Sequence, residues 1–214
     1  GRVYGWKERF LLRTAARLCT AFFCVSQSAE ASWFGDSQIF NTELIPKRRK
    51  HFTIYNAVDI SRIARIVEQV DVKQLCRSLG IENKKVIGVV GRLRSEKGHA
   101  FLLDAMVEVL RDYSEVILLV VGDGPDREYL IKKAEDLGIA CNVLWLGEKE
   151  PEVVFQLYSV MDVVTVPSLF EGFGLTAAEA MAVGRPVVGT QVDGLTEVIE
   201  EGVTGYLVPV GDSH

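Results

Sequence analysis

Two carboxylates, Glu171 and Glu179, stand on either side of a glycine-rich turn. Both belong to the stretch from Val163 to Thr190, whose pattern predicts strand, turn, helix and strand. The strand ends at Pro167, because proline has no N–H to donate to a sheet ladder. A helix that starts after the turn presents unpaired amides and partial positive charge, which suit phosphate or sugar oxygens. We therefore expect the active centre in this stretch.

The role of each acid has an alternative. Glu179 follows Thr176 by three residues, which also fits a capping box in which Glu179 accepts from the Thr176 amide. Glu171 fits no such local role, and a carboxylate on a loop at the ligand edge is a functional candidate. As a pair, the acids suit either hydrolytic acid–base chemistry or hydrogen bonds from sugar and ribose hydroxyls. Phe173 fits the core and the wall of a sugar pocket equally well.

Two basic residues lie near the end of the first strongly apolar strand: Arg92 directly after it, and Lys97 just before a helix. An arginine fork and a lysine ammonium that converge there would neutralise a diphosphate, since arginine can bind two oxygens at once. The alternative is a solvated loop in which Glu96 pairs with Lys97 or with Arg94. The order of glycine and lysine in this loop is not that of a P-loop.

Two further glycine turns have simpler interpretations. The turn from Gly122 to Pro125 carries only part of the GxGxxG dinucleotide fingerprint. We interpret it as a tight turn with Pro125 at the first position of a helix. His99 follows another glycine at a helix start and has no nucleophile beside it in the sequence. We interpret it as a helix-terminus residue and not as a catalytic base.

These residues need a scaffold of alternating strands and helices. Short apolar runs, typical of parallel strands covered on both faces, predict strands at Val86 to Gly91, Val116 to Val121, Asn142 to Leu146, Val163 to Val166, Val187 to Gly189 and Tyr206 to Val208. The segments between them predict helices at His99 to Leu110, Asp126 to Leu137, Pro151 to Met161, Thr176 to Val183 and Leu195 to Glu200. Such alternation predicts an α/β fold: a Rossmann-like parallel sheet with flanking helices, and ligands at the carboxyl edge of its strands.

The first eighty residues are less regular. They predict helices at Gly5 to Cys19 and Ser28 to Phe34, strands at Ala21 to Ser26 and His51 to Tyr55, and a linker with one helix that ends at Leu79. The run Lys47 to Lys50 is either a solvated loop or a contact for an anionic membrane surface.

Composition narrows the class of protein. The chain has 214 residues, of which 48% are hydrophobic, and its formal net charge of −5 gives no general affinity for nucleic acid. Its four cysteines and three histidines show no metal-ligand spacing. Cys19, Cys24 and Cys141 have apolar neighbours and are expected to be buried free thiols, as in a reducing cytosol. No apolar run reaches the roughly 18 residues of a membrane helix, so we expect a cytoplasmic protein, with peripheral contact to the inner membrane face as an alternative.

Taken together, the motifs resemble the retaining glycosyltransferases of family 4, which have the two-domain GT-B fold. Four stretches carry the resemblance: GRLRSEKG (Gly91 to Gly98), VVGDGPDREYL (Val120 to Leu130), PSLFEGFGLTAAEAMAVGRPVV (Pro167 to Val188) and GLTEVIEEGVTGYLVP (Gly194 to Pro209). The earlier VSQSAEASW (Val25 to Trp33) and IYNAVD (Ile54 to Asp59) are similar to the end of the family's N-terminal domain. The spacing of the two glutamates within this pattern is its most specific feature.

The resemblance implies a role for each candidate residue. Arg92 and Lys97 would bind the donor diphosphate and stabilise charge on the leaving nucleotide, and Glu171 would contact hydroxyls of the donor sugar. Glu179 would accept hydrogen bonds from the ribose hydroxyls, and backbone near Leu146 would hold the base. The amides that would reach sugar and phosphate oxygens are those of Gly172, Phe173, Gly174 and Leu175.

The implied reaction transfers a sugar from a nucleoside diphosphate to an acceptor hydroxyl with retention of the anomeric configuration. No metal or other cofactor is implied, because Arg92, Lys97 and amide dipoles can stabilise the charge. The partners would be a nucleotide-sugar donor and an unidentified acceptor, namely a sugar, a lipid-linked sugar or a small molecule. Two alternatives keep the same fold: a non-catalytic nucleotide-sugar binding module, and a GT-B epimerase or phosphorylase.

The resemblance also predicts how the chain is divided. Residues 1–59 would be a remnant of the N-terminal, acceptor-side domain, and residues 60–214 the C-terminal donor-binding domain without its final helices. Because most of the acceptor side would be missing, we expect this stretch to bind nucleotide but to turn over poorly alone. The sequence departs from the family's usual Asn-Gly-Val-Asp at Ala57, where a positive φ would strain an alanine.

Overall fold

The computed structural model describes residues 5–43 and 49–212 and contains two parallel sheets. The smaller sheet pairs β1 (Phe22–Cys24) with β2 (His51–Thr53). The larger sheet has six strands: β3 (Lys85–Val90), β4 (Val116–Val121), β5 (Val143–Gly147), β6 (Val163–Val166), β7 (Val187–Thr190) and β8 (Gly205–Val208). The prediction of an α/β fold with a parallel sheet is confirmed.

The six strands lie in the order β5-β4-β3-β6-β7-β8, and every neighbouring pair is parallel. The chain builds outward from β3 in one direction and then returns to add β6 on its other side. In sheets of this kind the strand order reverses between these two strands, and ligands bind in the crevice at their carboxyl ends. The loops that follow β3 and β6 are therefore the structural counterpart of the two loops singled out in the sequence.

Helices cover the strands. Among the described residues they are α1 (Trp6–Leu18), α2 (Gln27–Phe34), α3 (Ile60–Val67), α4 (Val72–Leu79), α5 (His99–Asp112), α6 (Arg127–Asp136), α7 (Pro151–Tyr158), α8 (Leu175–Ala182) and α9 (Asp193–Thr196). The single helix expected before Leu79 was wrong, because Asp71 starts a second helix by accepting the Gln74 amide at 2.9 Å. Pro125 precedes α6 instead of opening it, and α9 ends earlier than predicted.

Two apolar clusters cover the two faces of the larger sheet. Along β4, Leu118 and Val120 belong to one cluster, whereas Leu119 and Val121 belong to the other. This alternation follows from the strand geometry, in which successive side chains point to opposite faces. Helices α5 and α6 pack on the first face, and α3, α7 and α8 pack on the second. With both faces buried, the strands read as continuous apolar runs in the sequence.

Glu30 of α2 holds the smaller unit together. Its side chain is fully buried, and its oxygens lie 2.7 Å from the nearest side-chain nitrogens of Arg49 and His51 and from the Thr53 hydroxyl. Burial would raise the pKa of Glu30, but these partners and the Gln38 amide hold it below its usual value. A buried carboxylate is tolerated when it is paired and hydrogen-bonded in this way.

The basic run is only partly solvated. Arg49 pairs with Glu30 and, at 2.6 Å, with Asp36, so the expectation of a solvated loop was wrong for this residue. Lys50 is exposed and donates to two carbonyl groups of the end of α1 and the residue after it. Lys47 and Arg48 lie outside the described residues.

The burial expected for the cysteines was only partly right. All four cysteines are free, but Cys19 and Cys141 are exposed, not buried, because each lies in a short connection at the surface. Burial raises the pKa of Cys24 to about 11.

Among the described residues, only Asn83 combines a positive φ with a side chain, so the φ of Ala57 is not positive and the alanine is not strained there. No described helix has both the length and the apolar character needed to cross a bilayer.

A carboxylate joins the smaller unit to the larger sheet. Glu197, directly after α9, accepts the amides of Gln27 and Ser28 at 2.9 and 2.7 Å. These amides are the first two of α2, where unpaired donors and the helix dipole favour a negative charge. Burial would raise the pKa of Glu197, but the bonds from Ser28, Gln27 and Tyr55 hold it below its usual value. The contact was not anticipated from the sequence.

The start of α5 is pressed against the end of β6. Gly98 precedes α5 with φ of 71°, and a Cβ at this position would lie 1.8 Å from the Pro167 carbonyl oxygen. Gly80, with φ of 67°, has the same left-handed conformation but open space where a Cβ would be.

Gly98→Ala should therefore destabilise the protein much more than Gly80→Ala. The control loses about 1–2 kcal/mol from its left-handed conformation alone. Gly98→Ala adds a clash that moves backbone, so we expect a total of about 2–5 kcal/mol. Urea unfolding of both variants measures the difference, and equal losses would contradict the close approach.

Candidate functional site

The loops after β3 and β6 are joined by a backbone contact. The Leu169 amide donates to the Glu96 carbonyl at 2.8 Å, next to the close approach of Gly98 and Pro167. Because both loops leave neighbouring parallel strands at the same edge, their side chains meet over the sheet. The contact therefore fixes one loop relative to the other.

Lys97 and Glu171 form an ion pair across these loops. The Lys97 Nζ lies 2.7 Å from Glu171 Oε2, and the Ser168 hydroxyl donates to the same oxygen at 3.2 Å. The side chains are 32% and 17% exposed, so the pair is partly shielded from water. Arg94 pairs with Glu96 at 3.4 Å, as the alternative of a solvated loop proposed. Lys97 pairs with Glu171 and not with Glu96.

Arg92 lies in the neighbouring cavity. This cavity, of about 500 Å³, is formed by the residues that follow β3, β4 and β5, including Asp123, Glu148 and Lys149. In the described ranges no residue forms an ion pair or hydrogen bond with the Arg92 guanidinium, which is exposed. A second cavity, of about 910 Å³, is lined by Lys97 and Glu171. The two predicted cations thus stand at adjoining cavities instead of sharing one.

The N-terminus of α8 supplies unpaired amides. No described residue accepts a hydrogen bond from the amides of Gly172, Phe173, Gly174 or Leu175, the four named from the sequence. Of these residues, Gly172 lines the second cavity, beside Glu171. Unpaired amides at a helix start, with the helix dipole, attract anionic oxygens.

The shape of this turn depends on packing from α9. The Gly194 amide donates to the Glu171 carbonyl at 3.2 Å, and a Cβ on Gly194 would lie 2.5 Å from the same oxygen. A side chain at this position would therefore push the turn out of place. Gly194 belongs to one of the stretches that resemble the family, but no local sequence pattern predicts this contact.

The capping box, one of the two alternatives for Glu179, was wrong. Gly174, in a left-handed conformation, precedes α8, so Thr176 is the second helical residue and cannot cap the helix. Glu179 accepts a hydrogen bond from the Tyr158 hydroxyl at 3.1 Å. Burial raises the pKa of Glu179, and the bond from Tyr158 opposes part of that rise. Tyr158 belongs to α7, and no local sequence signal could have shown this pairing.

The structure places Phe173 and Leu146, the two apolar residues among the candidates for the binding site. The Phe173 ring is half-buried and lies 6.0 Å, centre to centre, from the Tyr55 ring, so it contacts the segment after β2 and not the main core. Leu146 coincides with a register shift between β4 and β5: Val120 pairs with Trp145, and Val121 pairs with Gly147. Such a bulge re-aims the backbone at the carboxyl edge.

His99 is the first residue of α5 and is 4% exposed. The prediction of a helix-terminus residue is confirmed, but the sequence did not show that the ring is buried beside Lys97. Burial and the Lys97 charge lower the pKa of His99 to about 4. No described group of three or more His, Cys, Asp or Glu side chains is arranged to hold a metal ion.

The comparison with known families decides the classification. Residues 71–214 match the family model described as glycosyl transferases group 1. The chain belongs to this family. The match includes both loops of the site, α8 and every strand of the larger sheet. It confirms the resemblance to GT-B glycosyltransferases of the family-4 type.

Curated relatives within this group 1 family match part of their own length. The D-inositol 3-phosphate glycosyltransferase of Segniliparus rotundus is 37% identical over 81% of this chain and 41% of the relative. The N-acetyl-alpha-D-glucosaminyl L-malate synthase of Bacillus anthracis is 34% identical over 89% of this chain and 49% of the relative. The chain thus spans about half the length of these relatives, or less.

A solved structure supports the same fold. Anabaena HepE, in complex with UDP and glucose, is 28% identical to this chain and superposes with a TM-score of 0.78. The match covers 96% of this chain and 54% of HepE. The prediction of a GT-B-type architecture is therefore confirmed for the part that this chain represents.

The low pKa of His99 predicts an acid-sensitive contribution to stability. The unfolded chain binds a proton near pH 6.5, whereas folded His99 binds it only near pH 4. Stability is therefore fully present above pH 6.5 and decreases as the pH falls towards 4, by about 3 kcal/mol for this group. His99→Leu should lack this loss. Urea unfolding of both proteins near pH 7 and near pH 4 measures it, and parallel losses would refute the assignment.

Proposed function

We propose that this glycosyl transferases group 1 protein moves a sugar from a nucleoside diphosphate to an acceptor hydroxyl, with retention of the anomeric configuration and without a metal. The observation that carries the proposal is the Lys97–Glu171 pair, which stands beside the unpaired amides of α8 where the strand order reverses. Residues 60–214 would form the donor-binding part, and residues 1–59 would belong to the acceptor side.

The donor diphosphate would bind between the two cavities. Lys97 has three N–H donors and uses one on Glu171, so it can also bind phosphate oxygens. Arg92 would bind from the neighbouring cavity, where its guanidinium is not engaged by a described residue. The unpaired amides at the start of α8 would donate hydrogen bonds to the remaining phosphate oxygens. Together these groups would stabilise the charge that develops on the leaving nucleotide.

The two glutamates would bind hydroxyl groups. Glu171 lines the second cavity and would accept hydrogen bonds from hydroxyls of the donor sugar. Glu179 would accept from the ribose, with the Tyr158 hydroxyl holding its carboxylate in place. The bulge at Leu146 would present backbone groups to the base. Carboxylates suit the binding of hydroxyl groups, because ionised oxygens are strong acceptors of hydrogen bonds from hydroxyl donors.

The donor base and the acceptor are open to direct test. UDP is the first nucleotide to try, because HepE was solved with UDP and glucose. The relatives named above carry D-inositol 3-phosphate or L-malate in their names, which favours small hydroxylated acceptors among the candidates. A sugar or a lipid-linked sugar would be the alternative.

Removing both cations should abolish most of the transfer. In the full protein, Arg92→Ala with Lys97→Ala should lower kcat/KM by about 100-fold or more, since each group stabilises charge in the transition state. A matched control is Arg111→Ala with Lys132→Ala, which removes two cations that pair with acids on the surfaces of α5 and α6. Initial rates of sugar transfer provide the measurement. Near wild-type rates for the site variant would reject the assignment.

The stereochemical proposal has its own test. With an α-linked UDP-sugar and an accepted hydroxyl compound, NMR of the first product should show an α-glycoside. A β-glycoside would contradict retention. A changed donor without transfer would favour an epimerase, and binding without turnover of the full protein would favour a binding module. Repeating the reaction with a metal chelator should leave the rate unchanged.

A further inference from the structure

His99 is a buried polar side chain without a protein partner among the described residues. Neither Nδ1 nor Nε2 forms a hydrogen bond there, although the side chain is almost completely enclosed. Buried polar groups in folded proteins nearly always have a partner, so an exception needs an explanation. The His99 ring faces a small cavity that could hold such a partner.

The ring lines a small cavity behind the ion pair. This cavity has a volume of about 10 Å³, and its lining includes Lys97, Ser168 and Glu171. A cavity of this size corresponds to one water position, and a buried water needs two to four polar partners. The lining offers an ammonium, a hydroxyl and a carboxylate in addition to the imidazole. Its size and its chemistry both suit a single water molecule.

We infer that His99 is a positioning residue for the Lys97–Glu171 pair and acts through one water molecule bound in this cavity. A neutral imidazole has one donor and one acceptor, so it can hold the water in one orientation. The water then contacts the pair from behind and limits the positions that the ammonium can take. Lys97 would be held ready for the diphosphate before the donor arrives.

The fold supports this arrangement independently of the ring. The close approach of Gly98 to the Pro167 carbonyl holds the backbone next to His99 against the end of β6. The low pKa of His99 keeps the ring neutral at neutral pH, so it does not add a second positive charge beside Lys97. His99 is too enclosed to touch the donor, which excludes it as a catalytic residue.

The inference rests on the proposed donor site, and a double-mutant cycle in the full protein separates the two. UDP affinity is measured by calorimetry for wild type, His99→Leu, Glu171→Gln and the double variant. If His99 acts through the pair, His99→Leu should weaken UDP binding by about five- to tenfold, but by less than about twofold when Glu171→Gln has already broken the pair. His99→Gln, which keeps a donor and an acceptor, should restore most of the affinity.

Each outcome has a defined meaning. An equal loss in both backgrounds, or no loss, would overturn the inference while leaving the donor site intact. Wild-type protein that binds none of UDP, GDP and ADP would instead reject the proposed function. A high-resolution crystal structure of the wild type tests the water directly, whether or not the variants fold. A water within hydrogen-bond distance of a His99 ring nitrogen and of the pair supports the inference, and no water there rejects it.

Discussion

The contact between the loops that follow β3 and β6 is the constraint on which the site depends. Parallel strands bring their carboxyl ends to one edge, but this alone leaves the loops free to move apart. The close approach of Gly98 to Pro167 and the bond from Leu169 to Glu96 remove that freedom. Lys97 and Glu171 meet because the backbone is already fixed on both sides of them.

The Lys97–Glu171 ion pair contributes little to the stability of the fold. Under the proposed function, its main effect is to order Lys97 before an anion binds. Exposed pairs contribute little, and fully buried pairs cost nearly as much desolvation as they gain. Lys97 and Glu171 lie between these limits, with side chains 32% and 17% exposed. In the proposed donor site, the carboxylate would limit the rotamers of Lys97, so that this entropy would not be lost when the diphosphate binds. The amides at the start of α8 are likewise ordered by the helix, so binding an anion there would cost little further conformational entropy.

The sequence predicted the scaffold well because its signals are local. Each strand of the larger sheet is a short apolar run, and the residues that follow it were expected at the ligand edge. Long-range contacts were not predictable in this way. The partner of Glu179 comes from α7, and Leu146 lies in a bulge only because β4 pairs with β5 out of step. At α8, the left-handed Gly174 prevailed over the capping box that Thr176 suggested.

The smaller unit and the segment that follows it also constrain the site, because they contact the turn that carries Glu171. The first amides of α2 bind Glu197, which directly follows α9, and Gly194 at the start of α9 binds the Glu171 carbonyl. Tyr55 also contacts the turn, through the ring of Phe173. A displacement of α2 would therefore strain the turn that carries Glu171. The placement of α2 and the geometry of Glu171 are therefore coupled, through a carboxylate, a glycine and two aromatic rings.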